Sequence, residues 1–338
     1  MFDSNARRAP TAHDVADAAN RLEGLVRRTP LVPATGFPGW LKLESMQITG
    51  AYKVRGALNA MLRQVARGDR RPVIAASAGN HAAGVAYAAR LVGLDAITVV
   101  PLAAPLTKIQ RTQRLGARVI QFGDTFEAAY REARRLAQSE HWRFLHAFDD
   151  PDIIAGQGTI AHELLAHEPD VVLVPIGGGG LASGMGLALA ARGVRVVGVQ
   201  VAGVDAMARV LRGEPAEFRP ADTIADGVRV SAPGRLTRRI CESVLDDIVT
   251  VSEEAVRDAM LRLAVEDCVV AEGAGALAAA ALALVPGRRK VAVVSGGNVD
   301  LEALVDLRAR HGHPTSPRLD IPRRSITAPL MPLSRNSA

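Results

Sequence analysis

Aromatic residues make up only 4% of this 338-residue chain, so its core must be assembled from Ala, Val, Leu and Ile. Lysine is scarcer still. The chain holds four, at positions 42, 53, 108 and 290, and arginine carries nearly all the positive charge. No long basic run lies behind the formal charge of +6 or the isoelectric point near 9.9. Charge scattered through helices reads as a solvated surface and argues against a nucleic-acid partner. The two cysteines, Cys241 and Cys268, sit far apart without metal-ligand spacing. They fit a reduced, cytoplasmic protein and point to no metal site. No apolar run approaches about eighteen residues, the length a membrane-spanning helix needs, so no membrane partner is expected. The first ten residues lack the apolar core of a secretion signal. What the chain has in quantity is hydrophobic residues, 48% of the total. That is enough for one large core or two lobes.

The patterning is strand, helix, strand, helix. Residues 11–28 read as an amphipathic helix capped by Thr11. Thr29-Pro30-Leu31 starts extended structure, because the residue before proline avoids the helical region. Strands are expected at 73–76, 96–100, 118–121 and 144–145, with helices at 81–91, 108–115 and 125–140. The alternation continues with strands at 171–175, 194–201, 247–251 and 290–294. Helices are expected at 158–166, 180–192, 205–212, 236–243, 252–267, 275–284 and 301–310, and 214–235 reads as loop. Strands alternating with helices of this length imply parallel sheets with helices on both faces, an α/β fold. Residues 70–148 read as a small α/β lobe. The tail, 311–338, has many prolines and no periodicity, and reads as disordered.

One stretch organises the chain: Thr49-Gly50-Ala51-Tyr52-Lys53-Val54-Arg55-Gly56-Ala57. Thr49 reads as the N-cap of a helix running to about Arg67, which places Lys53 in its first turns. A lysine in an apolar, glycine-flanked helix start suits a need for an amine. An amine can lose its proton when buried and attack a carbonyl, whereas a guanidinium cannot. A lysine lying along a helix face is the plainer reading.

Four further clusters follow strands, where open α/β sheets bind ligands. Ser77-Ala78-Gly79-Asn80-His81 offers backbone N–H groups for a carboxylate, and Asn80 can meet a phenolic oxygen. Gly177-Gly178-Gly179-Gly180-Leu181 lies between a buried strand and a helix, which suits a phosphate nest better than a linker. Ser295-Gly296-Gly297-Asn298 delivers a hydroxyl that can bond a heterocyclic nitrogen. Ala271-Glu272-Gly273-Ala274-Gly275 allows close approach, with Glu272 reading equally as a surface turn residue. An amine, a phosphate nest, a hydroxyl and an asparagine match the handles of pyridoxal phosphate. A dinucleotide oxidoreductase is disfavoured by the missing GxGxxG.

These motifs, together with Phe148-Asp149-Asp150-Pro151 and Thr223-Ile224-Ala225-Asp226-Gly227, resemble the fold-type II pyridoxal-phosphate enzymes, in the threonine dehydratase and serine racemase branch. The resemblance covers roughly residues 20–310. It implies a tryptophan synthase β-like fold of two domains: a discontinuous large one, 13–68 plus 149–310, and an inserted small one, 70–148. It implies that Lys53 forms a Schiff base with the cofactor. The loop Gly177, Gly178, Gly179, Gly180 and Leu181 would hold the phosphate. Asn80 would meet the phenolic oxygen, and Ser295 the pyridine nitrogen. Ser77, Gly79 and His81 would hold the substrate carboxylate. The implied activity is dehydration and deamination of L-threonine or L-serine by a homodimer. Racemisation of serine, or dehydration of 3-hydroxyaspartate or phenylserine, is the alternative. Three departures stand out. Serine racemases have a second acid/base serine where this chain has Ala78. Cation-binding relatives have Glu where Gln200 stands. Ala51-Tyr52 replaces a common Ser-Phe pair.

Overall fold

The computed structural model describes residues 8–215 and 221–311. The tail expected to be disordered lies outside the described residues from position 312 onward. In chain order the elements are α1 (Ala12–Leu22), β1 (Leu31–Pro33), β2 (Trp40–Leu43), α2 (Lys53–Ala66), β3 (Val73–Ala76), α3 (Asn80–Val92), β4 (Ala96–Val100) and α4 (Leu106–Arg114). They continue with β5 (Arg118–Gln121), α5 (Phe126–Ser139), β6 (Arg143–Phe144), α6 (Pro151–Leu164), β7 (Val171–Pro175), α7 (Gly180–Ala190) and β8 (Arg195–Val201). The last are α8 (Ala206–Leu211), α9 (Arg235–Val244), β9 (Asp247–Val251), α10 (Glu253–Glu266), α11 (Gly273–Ala280), β10 (Lys290–Val294) and α12 (Leu301–His311).

Two sheets result. One has six strands in the order β1-β2-β10-β7-β8-β9, and the other four in the order β5-β4-β3-β6. Every pairing is parallel except β1 with β2. The central strands are short, largely apolar runs, such as Val171–Pro175 and Lys290–Val294, buried along their whole length. Such runs belong in a sheet covered on both faces. The period of two then divides each strand between two cores. Val171, Leu173, Ala292 and Val294 join the core under α10 and α11. Val172, Val174, Val291 and Val293 join the opposite core, under α6 and α7. The smaller sheet follows the same rule. Val73 and Ala75 pack towards α2 and α3, while Ile74 and Ala76 pack towards Ala129 and Ala133 of α5. Each fully buried Val, Leu or Ile contributes roughly 1.5–3 kcal/mol.

Three boundaries differ clearly from the sequence expectation, two of them for a local reason. α1 ends at Leu22 rather than Arg28, because Glu23 leaves the helical region and Gly24 turns left-handed at φ 72°. α6 begins at Pro151, not Gly158. The Asp150 carboxylate accepts from the Asp152 and Ile153 N–H groups, and proline occupies the first turn. α11 spans Gly273–Ala280, shorter than expected at its far end.

α6 and α7 touch through glycine. A Cβ on Gly158 or on Gly184 would collide with the other helix's backbone. Gly184→Ala should therefore cost about 1–3 kcal/mol, the penalty of overpacking. The shift in urea midpoint measures it.

α2 is anchored by buried charge. The Arg55 guanidinium makes paired hydrogen bonds to Glu44, Nε to Oε2 at 2.8 Å and Nη2 to Oε1 at 2.7 Å. Its Nη1 pairs with Glu163 at 2.7 Å. Lys42 reaches the other Glu163 oxygen and the Thr29 carbonyl. Neither Arg55 nor Glu44 is more than 1% exposed.

Candidate active site

Lys53 is the first residue of α2, and the residue before it, Tyr52, is the N-cap. Thr49 does not cap this helix. Its hydroxyl lies on the Ala51 carbonyl at 3.4 Å, and Gly50 turns the chain at φ 68°. The turn stitches residues 50–52 to the loop after β10. Tyr52 N–H donates to the Ser295 carbonyl at 3.1 Å, and Gly297 N–H to the Gly50 carbonyl at 2.9 Å. Ala51 and Gly296 pair as an isolated antiparallel bridge. Lys53 is half-buried, and its Nζ donates to the Ala147 carbonyl at 3.1 Å. The same nitrogen lies 5.1 Å from the centroid of the Tyr52 ring.

The residue after Ala147 leads to the glycine loop. A Cβ on Gly178 would collide with the Phe148 ring, and one on Gly180 would lie 2.9 Å from Phe148 Cβ. Gly179 has φ 94°, which a side-chain-bearing residue rarely adopts. It is the N-cap of α7, and no side chain caps that helix. A helix start with uncapped N–H groups draws an anion. Leu181 is buried in the first turn. From behind, Thr237 Oγ1 donates to the Gly178 carbonyl at 2.6 Å. Asp149 in turn accepts from the Arg235, Leu236 and Thr237 N–H groups and so fixes the start of α9. His146 Nδ1 accepts from the Phe148 and Asp149 N–H groups at 3.3 and 2.9 Å, and burial lowers its pKa to about 4. A neutral imidazole thus shapes the turn that Lys53 and the glycine loop both touch.

Gly178→Ala tests the loop. The methyl must displace Phe148, and at roughly 1–3 kcal/mol of strain the bound anion should be lost about tenfold or more faster. Cofactor retained after dialysis is the measurement.

Asn80 and His81 open α3. Ser77 Oγ accepts from Gly79 N–H at 3.2 Å, and no side chain caps the helix. The His81 ring does not face a solvent-borne ligand. It is 3% exposed, and Nε2 lies 3.1 Å from the Leu145 carbonyl. Burial, with the Lys53 charge nearby, lowers its pKa to about 3. A carbonyl only accepts, so the proton is on Nε2 and the ring is neutral. This leaves His81 its main-chain N–H for a carboxylate.

Asn80 is held on both sides. Its Nδ2 donates to Glu272 Oε1 at 2.5 Å, and its Oδ1 accepts from Asn298 Nδ2 at 2.6 Å. Glu272 is no surface turn residue. It is 8% exposed, and burial, against the Asn80 hydrogen bond, pushes its pKa up to about 7. Ser295 is buried, and its hydroxyl donates to the Ala274 carbonyl at 3.2 Å. The Gln200 carboxamide nitrogen donates to the Ile176 and Val204 carbonyls at 3.2 and 3.4 Å, so both already have a donor. Among the described residues no group of three or more His, Cys, Asp or Glu is arranged to hold a metal ion. No described helix is long and apolar enough to cross a membrane.

Sequence reasoning missed the parts played by Phe148 and Asn298. Both lie inside recognisable motifs, but nothing local in the sequence says what either touches.

A lysine amine and an uncapped glycine-led helix start, meeting at Ala147 and Phe148 in a fold of two largely parallel sheets, define an α/β enzyme for an aldehyde cofactor carrying a phosphate. The donor set fits pyridoxal phosphate: the amine, the cradle that a Cβ would fill at Gly178, the part-buried amide of Asn80 and the buried hydroxyl of Ser295. The chain belongs to the pyridoxal-phosphate dependent enzymes, whose family profile matches residues 22–296. It is 42% identical over 308 residues to the L-threonine ammonia-lyase of Thermotoga maritima, covering 87% of this chain and 77% of that one. It is 39% identical over 305 residues to the catabolic L-threonine dehydratase TdcB of Escherichia coli K12, covering 85% and 93%. Maize serine racemase superimposes with a TM-score of 0.83 at 32% identity, covering 90% of this chain and 98% of that one.

Proposed function

We propose that this enzyme deaminates a β-hydroxy amino acid, with L-threonine as its foremost substrate and L-serine as its second. The reading rests on Lys53 and the start of α7 reaching consecutive residues, Ala147 and Phe148. The identity to enzymes named for threonine supports the choice of substrate. Pyridoxal phosphate, when bound, supplies an electron sink for the substrate's α-carbon.

Each residue then has a task. Gly177 to Leu181 hold the phosphate at the α7 N-terminus. Asn80 gives an amide N–H to the phenolic oxygen. The Ser295 hydroxyl turns from Ala274 to the pyridine nitrogen, which it leaves unprotonated. The His81 main-chain N–H and the Ser77 hydroxyl, on the turn through Gly79, hold the substrate carboxylate. The Lys53 amine takes the α-proton. The β-hydroxyl leaves as water with the proton that Lys53 took, and hydrolysis of the freed enamine gives a 2-oxo acid and ammonia. For threonine the sum is L-threonine to 2-oxobutanoate plus ammonia. A neutral partner at the pyridine nitrogen weakens the electron sink. Loss of the β-group then competes better with return of the proton. Racemisation needs a second proton donor on the face opposite Lys53, and Ala78 has no proton to give.

The same reading divides the chain into a large lobe, 13–68 plus 149–310, with the small lobe 70–148 inserted, working as a cytoplasmic homodimer. Light scattering of the purified chain checks the dimer. Steady-state 2-oxo acid formation from L-threonine, L-serine, 3-hydroxyaspartate and phenylserine tests the substrate. Threonine should show the highest kcat/KM. Accumulation of D-serine from L-serine without 2-oxo acid would overturn the reading in favour of racemisation.

A further inference from the structure

The carboxamide of Asn80 sits within a chain of hydrogen bonds. Its oxygen accepts from Asn298 Nδ2, and its nitrogen donates to Glu272 Oε1. Asn298 Nδ2 also donates to the Thr49 carbonyl at 3.0 Å, and Arg111 Nη2 reaches that same carbonyl at 2.8 Å. A carboxamide has two N–H donors and one carbonyl oxygen. Both donors of Asn298 are engaged. On Asn80 the oxygen and one donor are engaged, and one N–H remains. Turning the Asn80 amide over would set N–H against N–H at Asn298 and oxygen against oxygen at Glu272. Its neighbours therefore fix its orientation.

We propose that Glu272 and Asn298 are positioning residues that lock the Asn80 carboxamide, so that its one remaining N–H is presented to the phenolic oxygen of the bound cofactor. The inference rests on the assignment of Asn80 to that oxygen, proposed above.

The lock joins three distant parts of the chain. Asn80 opens the helix after β3, in the four-stranded sheet. Asn298 follows β10, in the six-stranded sheet, and Glu272 is the N-cap of α11, which packs on β10. The lock thus ties one sheet's ligand loop to the other's. Besides Asn80, the charged groups around Glu272 are Asp226, Lys108 and Arg111. Lys108 and Asp226 form their own ion pair at 2.9 Å, and Arg111 is held by Thr49. The acceptor role of Glu272 survives its protonation, because a neutral carboxyl keeps one bare oxygen.

The test uses holoenzyme variants and two readouts besides turnover. One is the ratio of visible to near-ultraviolet absorbance of the bound cofactor, which reports whether its phenolic oxygen is stabilised as the anion. The other is the rate of cofactor loss into cofactor-free buffer. Asn298→Asp converts two donors into acceptors. It should lower the ratio and speed cofactor loss about tenfold or more, the worth of one lost hydrogen bond to a charged group. Glu272→Ala should move both readouts the same way, and Glu272→Gln, which keeps an acceptor oxygen, should restore them. Asn80→Ala reports on the assignment itself. If Asn80→Ala moves both readouts while Asn298→Asp and Glu272→Ala move neither, the lock is overturned and the assignment stands. If Asn80→Ala also moves neither, the assignment falls and takes the lock with it. Should Asn298→Asp fail to fold, the contrast between Glu272→Ala and Glu272→Gln decides.

Discussion

Lys53→Ala is expected to fold normally and to lose deamination by about a thousandfold or more, since a positioned base contributes up to roughly 10⁴-fold and the proposed role also has this amine anchor the cofactor. Normal folding is expected because the amine makes one hydrogen bond, to the Ala147 carbonyl, on a side chain that is only half-buried. Lys53→Arg sharpens the result. It keeps the charge and much of the length, yet a guanidinium stays protonated and cannot accept the α-proton. Both variants should therefore be inactive, with unfolding temperatures near that of the parent. The 2-oxo acid assay, run beside thermal unfolding, checks this. Deamination by Lys53→Ala at the parent rate would refute the role given to the amine.

The largest stability loss is expected two residues further along α2. Arg55→Leu should cost about 3–5 kcal/mol, because breaking a buried ion pair from one side leaves an uncompensated charge. The abandoned charge is Glu44, which is 0% exposed, and Glu163 keeps only Lys42. Burial by itself would raise the Glu44 pKa. The charge and hydrogen bonds of Arg55, with help from Thr29 and Lys42, outweigh it and hold the carboxyl below its usual range. A pKa lowered by folding means stability that is complete above the unfolded value and lost as pH falls through the folded one. The gap between parent and Arg55→Leu should be full at neutral pH and shrink as pH falls below the ordinary carboxylate value of 4.5. Urea midpoints across that range measure it, and a gap that grows on acidification would count against the ion-pair account.

The regular elements were legible because local pattern decides them. The largely apolar runs at 73–76, 96–100, 171–175 and 290–294 are strands at those same residues. The glycine quartet between strand and helix also stood out, since such a run has no other use beside a buried strand. The cofactor, and the threonine dehydratase branch of its enzymes, could be read from motifs that meet at strand ends. What stayed hidden was long-range pairing. Lys53 meets Ala147 across 94 residues, Asn80 meets Glu272 across 192, and Asn298 meets Asn80 across 218. Periodicity says nothing about such partners. Glu272 therefore read equally well as a surface turn residue. Thr49 misled for a related reason. Its spacing suits a cap, but the stitching of residues 50–52 to the loop after β10 moves the helix start to Lys53.

The most direct measurement is borohydride reduction of the holoenzyme followed by mass mapping of its lysine-bearing peptides. With only Lys42, Lys53, Lys108 and Lys290 in the chain, the label has four side-chain amines to choose from. Cofactor mass fixed to Lys53 alone is the expected result. Cofactor mass on Lys42, Lys108 or Lys290, with Lys53 unmodified, would contradict it.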